Sequence, residues 1–130
     1  MKSNTYRVVA GLLLAAALIL ATPKVLAHGT HEPLHGGIVQ MVGDTAIELV
    51  AKGSDAYVYV IEHDSEYSSK GATGKVTVLK DGATTTATLT PDGSNRFVAR
   101  GATLGTGARV IVAITMADGT SKLSARFSIK

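Results

Sequence analysis

The chain has 130 residues, with 13 Lys and Arg against 10 Asp and Glu, and it has no cysteine. This length suits one domain with one core, and the lack of cysteine excludes a disulfide scaffold, a lipid anchor on cysteine and a blue-copper site. Three of the basic residues lie within the first 27, so the remainder is balanced in charge and has no basic stripe. We therefore predict neither a nucleic-acid partner nor a stable membrane anchor.

The first 27 residues have the pattern of a secretory signal peptide. Lys2 and Arg7 precede an apolar run over residues 8–21, which is shorter than the roughly 20 residues that cross a bilayer. Pro23 ends the apolar segment, and Val25-Leu26-Ala27 is interpreted as the cleavage site. We predict cleavage after Ala27 and a periplasmic protein that begins at His28; an uncleaved N-terminal anchor is the alternative.

From residue 38 onward, short β-branched or aromatic runs alternate with turn signals such as Asp-Gly, and no stretch has helical periodicity. The pattern predicts an all-β domain over residues 38–130. We expect an antiparallel β-sandwich of seven to eight strands, Ig-like or cupredoxin-like, with a small barrel as the alternative. The expected strands cover residues 38–42, 45–51, 56–62, 75–80, 84–90, 96–100, 109–117 and 122–130.

Alternation along these strands separates core positions from exposed ones. In the strand over 45–51, Ile47 and Leu49 point one way and Glu48 the other. Tyr57 and Tyr59 are interpreted as packing residues of a half-buried strand. The predicted core consists of Ile47, Leu49, Val58, Val60, Val110, Val112, Leu123 and Phe127.

Histidine is unevenly distributed, and this is the main functional signal. His28, His31 and His35 lie in a predicted flexible arm over residues 28–37, and His63 ends the third predicted strand. Gly29, Pro33 and the Gly36-Gly37 pair disfavour a helix, so the arm is expected to be irregular. An alternative is that the arm is a solvated tail and His63 an exposed turn residue.

Imidazole nitrogen binds Cu(II) and Zn(II) well, and cleavage after Ala27 would add the α-amine of His28 as a second donor. Metal affinity should fall below about pH 6, where free imidazole is protonated. An arm that wraps a metal ion binds it more tightly if the folded domain also supplies a ligand. We therefore predict a Cu(II) or Zn(II) site made of His28, His31, His35 and His63, with His63 completing it.

Four segments carry a resemblance to a known group: HEPLHGGIV at residues 31–39, ELV at 48–50, YVYVIEH at 57–63 and the closing ARFSIK. The chain resembles small periplasmic proteins of proteobacterial heavy-metal resistance systems. It is also similar to the N-terminal module of periplasmic adaptor subunits of heavy-metal efflux pumps. The resemblance implies metal handling by His31, His35 and His63, with an efflux component as a partner. The chain lacks the adaptor's helical hairpin and barrel.

The leading interpretation is thus a periplasmic divalent transition-metal buffer or carrier. One alternative is a non-catalytic envelope interaction module with no metal role. Another is an enzyme with a copper site built on His28, but the sequence offers no Ser/His/Asp set and no catalytic carboxylate pair. We therefore expect a protein that is not an enzyme.

Overall fold

The structure, a computed structural model, describes residues 31–130. The predicted signal peptide, its cleavage site and the first three residues of the arm, including His28, lie outside the described residues. Within that range the chain forms nine β-strands and no helix. The strands are β1 (Ile38–Val42), β2 (Thr45–Lys52), β3 (Asp55–Glu62), β4 (Ser65–Glu66), β5 (Thr73–Lys80), β6 (Ala83–Pro91), β7 (Arg96–Ala99), β8 (Arg109–Thr115) and β9 (Lys122–Ser128).

All strand pairs are antiparallel, and the order across the sheet is β1-β2-β3-β7-β6-β5-β8-β9, with β4 beside β3. Strand β6 is shared between two halves: most of it pairs with β5, and its end, Thr90 and Pro91, pairs with β7. The sheet folds over one core at this shared strand, and β1 and β9 lie close together at its two ends. The predicted all-β antiparallel fold is confirmed, as a sandwich that nearly closes into a barrel.

Period-two alternation determines which face of each strand is buried. In β9, Leu123, Ala125 and Phe127 are buried, whereas Ser124 and Arg126 are exposed. The same alternation runs along β3 and β8. All eight residues predicted for the core belong to the buried apolar cluster, so that prediction is confirmed.

The predicted strands agree with the observed ones except at their ends. The segment between the predicted strands over 56–62 and 75–80 contains the two-residue strand β4, which pairs with the end of β3. The strands predicted over 109–117 and 122–130 end earlier, at Thr115 and Ser128. Residues 31–130 contain no helix long and apolar enough to span a membrane.

Candidate functional site

Two of the predicted ligands, His31 and His63, lie at one end of the first half of the sheet. The strand register brings two turns together at this end, because Thr45 pairs with Val42 across the β1–β2 turn and with Glu62 at the end of β3. The turns after β1 and after β3 therefore lie side by side.

Each histidine at this end faces a carboxylate. Nε2 of His31 lies 3.7 Å from Oδ1 of Asp64, and Nε2 of His63 lies 3.8 Å from Oδ2 of Asp44. His63 and Asp64 both have positive φ, 47° and 60°, as the central residues of the tight turn that joins β3 to β4. We call His31, Asp44, His63 and Asp64 the turn-end cluster.

The two distances in the turn-end cluster are too long for hydrogen bonds, which join nitrogen and oxygen at about 2.7–3.2 Å. Two ligands of a tetrahedral Zn²⁺ ion, each bound at about 2.0–2.2 Å, lie about 3.4 Å apart, so a small movement of the exposed side chains would bring either pair to that separation. Asp44, His63 and Asp64 are largely exposed. An ion from solution therefore has direct access to both pairs.

His35, the third described ligand candidate, lies elsewhere. Its ring stacks on the ring of Tyr59, with the centroids 3.6 Å apart and the planes 8° from parallel. Tyr59 precedes His63 by four residues on β3, which corresponds to about 13 Å along a strand. The structure thus brings His31 near the turn that carries His63 but leaves His35 apart from both.

His35 is held by the carboxylate of Glu48, in the middle of β2. Oε2 of Glu48 lies 2.9 Å from Nδ1 of His35, and the backbone N–H groups of Leu34, His35 and Gly37 donate to the same carboxylate at 2.8–3.1 Å. Because an ionised carboxylate only accepts hydrogen bonds, Nδ1 of His35 is the donor, and in the neutral form of the ring Nε2 has the free lone pair. We call this arrangement the Glu48 clasp.

The two glycines after His35 allow the Glu48 clasp to form. Gly36 has a φ of +74°, in the left-handed region that favours glycine. Gly37 passes so close to β2 that a Cβ there would overlap the Leu49 carbonyl oxygen and lie 2.8 Å from Cγ2 of Val50. The arm is irregular, as predicted, but residues 34–37 are bound to β2. The glycine pair therefore permits this close path along β2.

Glu48 is 2% exposed although its side chain points away from the main core. Burial raises the pKa of this carboxyl, whereas the hydrogen bonds from the His35 ring and from three backbone N–H groups lower it. Together the hydrogen bonds have the larger effect, so the pKa lies below its ordinary value. Glu48 is therefore an ionised, fully hydrogen-bonded group beneath the arm. Sequence reasoning missed it, and the only available signal was a glutamate flanked by apolar residues in the segment IELV.

The exposed side of His35 borders a groove of about 440 Å³ on the outer face of β2 and β3. Tyr57 and Tyr59 line this groove, together with Lys52 and Arg96 at its rim. The two tyrosines are half-buried, as predicted, and they pack against the arm and these cationic side chains. Arg96 is itself bound to Asp92, with a nitrogen–oxygen distance of 3.0 Å.

Within residues 31–130, no three His, Asp or Glu side chains converge closely enough to hold one metal ion together. The turn-end cluster thus provides two separate nitrogen–oxygen pairs. Comparison with protein families, curated proteins and solved structures returned no match to this chain.

Proposed function

We propose that the protein binds a divalent transition metal, Cu(II) or Zn(II), and acts as a periplasmic buffer or carrier in metal homeostasis or efflux. The observation that supports this most is the turn-end cluster, in which His31 and His63 each lie within metal-sharing distance of a carboxylate. The proposed role is binding and not catalysis. The location and the efflux context are inferred from the sequence, namely the leader over residues 1–27 and the resemblance to heavy-metal resistance proteins.

The donors of the turn-end cluster suit such an ion. Imidazole nitrogen and carboxylate oxygen are both ordinary ligands of Zn²⁺, and imidazole also suits Cu(II). Each pair supplies two ligands, and we propose that the exposed side chains of both pairs turn toward one ion when it binds, so that they form a single site. His28 lies three residues before His31 in the sequence, and we propose that its ring and α-amine are further donors to this ion.

The Glu48 clasp has a separate part in this proposal. By binding residues 34–37 to β2, it fixes the point from which the preceding residues reach the β3–β4 turn. This reduces the conformational entropy that the arm loses when a metal ion binds, which is about 1–2 kcal/mol for each residue that is ordered. His35 then orients the arm, while its Nε2 atom stays available as a single, weaker ligand.

Isothermal titration calorimetry with ZnCl₂ and with CuCl₂ tests the proposal on variants of the turn-end cluster. His31→Ala and His63→Ala should each lower the affinity at least about tenfold, equivalent to about 1.4 kcal/mol. Asp44→Asn should weaken binding too, because it removes an anionic ligand but keeps the size of the side chain.

Asp81→Asn is the matched control. Asp81 also lies in a two-residue hairpin turn and has a φ of 51°, which asparagine tolerates. This variant makes the same charge change outside the turn-end cluster, so its affinity should equal that of the unmodified protein. Equal affinities for all four variants would overturn the proposal.

A further inference from the structure

The outer face of the second half of the sheet, formed by β6, β5, β8 and β9, carries an unusual set of charges. The inner face of this half of the sheet packs against the core, and the outer face is exposed. Four cationic side chains point outward from three neighbouring strands, and all four are exposed. We call them the basic face: Lys75 on β5, Arg109 on β8, and Lys122 and Arg126 on β9.

Among the described residues, no Asp or Glu occupies an outward position on these four strands. The outward positions on the four strands, identified from the register, are otherwise occupied by hydroxyl-bearing residues and a few apolar ones. The hydroxyl-bearing residues are Thr73, Thr77, Thr84, Thr86, Thr88, Thr115, Ser124 and Ser128. In the described part of the chain, the ion pairs involve none of the four cations of the basic face. Within residues 31–130, no carboxylate lies within ion-pair distance of these cations.

The four cations form two neighbouring pairs on this surface. Arg126 pairs with Ile111, two residues from Arg109, so the two arginines are diagonal neighbours at about 7–8 Å. Lys75 and Lys122 border a shallow groove of about 420 Å³ on the same surface, which also contains the side chain of Ser124.

The basic face is part of a charge separation along the chain. Residues 31–66, which include the turn-end cluster, contain seven Asp and Glu and one Lys. Residues 67–130 contain three Asp and nine Lys and Arg. A protein that is neutral over residues 31–130 thus has one strongly acidic half and one strongly basic half.

We propose that the basic face binds reversibly to the phosphate groups of an anionic phospholipid surface. A protein partner normally needs a buried apolar or aromatic anchor, and this face offers only scattered aliphatic side chains such as Leu79 and Ile111. Exposed lysines and arginines are attracted to anionic bilayers, and the surrounding hydroxyls can donate to phosphate oxygens. The inference goes beyond metal binding and does not depend on it.

The test is binding to phosphatidylglycerol–phosphatidylcholine vesicles at low salt with EDTA present, so that metal binding has no influence. The triple variant Lys75→Gln, Arg109→Gln, Arg126→Gln removes three charges of the basic face. Its vesicle partition coefficient should fall at least about tenfold, because each Lys or Arg at an anionic surface contributes roughly a factor of five.

The matched control carries Lys52→Gln, Lys70→Gln and Arg100→Gln, which remove the same charge at exposed positions outside the basic face. All proteins begin at His28, the predicted mature N-terminus, so the apolar run over residues 8–21 is absent, and circular dichroism confirms that each variant is folded. The control should bind nearly as well as the unmodified protein, and 0.5 M NaCl should abolish binding.

Three results would overturn the proposal: equal loss in the two triple variants, binding that does not depend on phosphatidylglycerol or salt, or no vesicle binding by a protein that does bind immobilised polyglutamate. The last result would assign the basic face to an acidic protein partner. Inorganic phosphate at millimolar concentration should not displace the protein from vesicles, because the proposed attraction comes from a charged surface and not from one phosphate group.

Discussion

Replacing Glu48 by alanine should destabilise the fold more than any other single loss of a carboxylate in residues 31–130. Glu48 accepts hydrogen bonds from three backbone N–H groups and from the His35 ring, and it is 2% exposed. A hydrogen bond to a charged group contributes about 1.5–3 kcal/mol to stability. Because His35 is 37% exposed, water can replace part of its lost hydrogen bond in the variant. We expect the free energy of unfolding to fall by about 2–4 kcal/mol, because three backbone N–H groups lose a charged acceptor that water replaces only in part.

Urea unfolding followed by far-UV circular dichroism measures this loss. Glu66→Ala is the control, because Glu66 is an exposed glutamate on β4 and its removal should change the free energy of unfolding by no more than about 0.5 kcal/mol. Amide hydrogen exchange adds a local measurement. In the Glu48→Ala variant, the amides of Leu34, His35 and Gly37 should exchange faster. A loss of stability below about 1 kcal/mol, with unchanged exchange at these three amides, would refute the Glu48 clasp.

Further predictions concern glycine and pH. Gly37→Ala should lower the free energy of unfolding by more than about 2 kcal/mol in urea denaturation, because its Cβ would overlap the β2 backbone. Gly105→Ala should cost less, because the nearest atom there is the mobile end of a lysine side chain. The pKa of Glu48 is lowered on folding, so its contribution to stability is present above the ordinary glutamate pKa of about 4.3 and is lost as pH falls through the lower folded value. The Glu48→Gln variant should therefore lose less stability than the unmodified protein between about pH 6 and pH 3, as measured by thermal melts. Hydrogen bonds from Ser121 and Thr120 hold the pKa of Asp118 at about 2, and NMR titration should show that Ser121→Ala raises it.

Strand positions and the core were predictable because both follow from local rules. Alternation along the strands and Asp-Gly turns locate most strands to within a residue or two. The same rule fails at Glu48. Alternation predicts a side chain in water, but residues 34–37 cover that position, and a contact between residues 11–14 apart in sequence has no local signature.

The candidate site was predictable only in part. Histidine clustering drew attention to His31 and His63, but the pairing of each with an aspartate depends on two turns that the strand register places side by side. The sequence interpretation treated His35 as equivalent to the other histidines, whereas in the fold it stacks on Tyr59. The basic face was also missed, because its cations come from three strands far apart along the chain and alternate with apolar residues on each strand.

The most direct test of the metal-binding claim is a ¹H–¹⁵N NMR spectrum of the labelled protein during titration with substoichiometric CuCl₂. Paramagnetic Cu(II) broadens the amide signals nearest to the ion. We expect broadening to begin at His31, Asp44, His63 and Asp64, while Arg126 on the basic face keeps its intensity. Broadening that is absent, spread evenly over the domain, or centred on the basic face would contradict metal binding at the turn-end cluster.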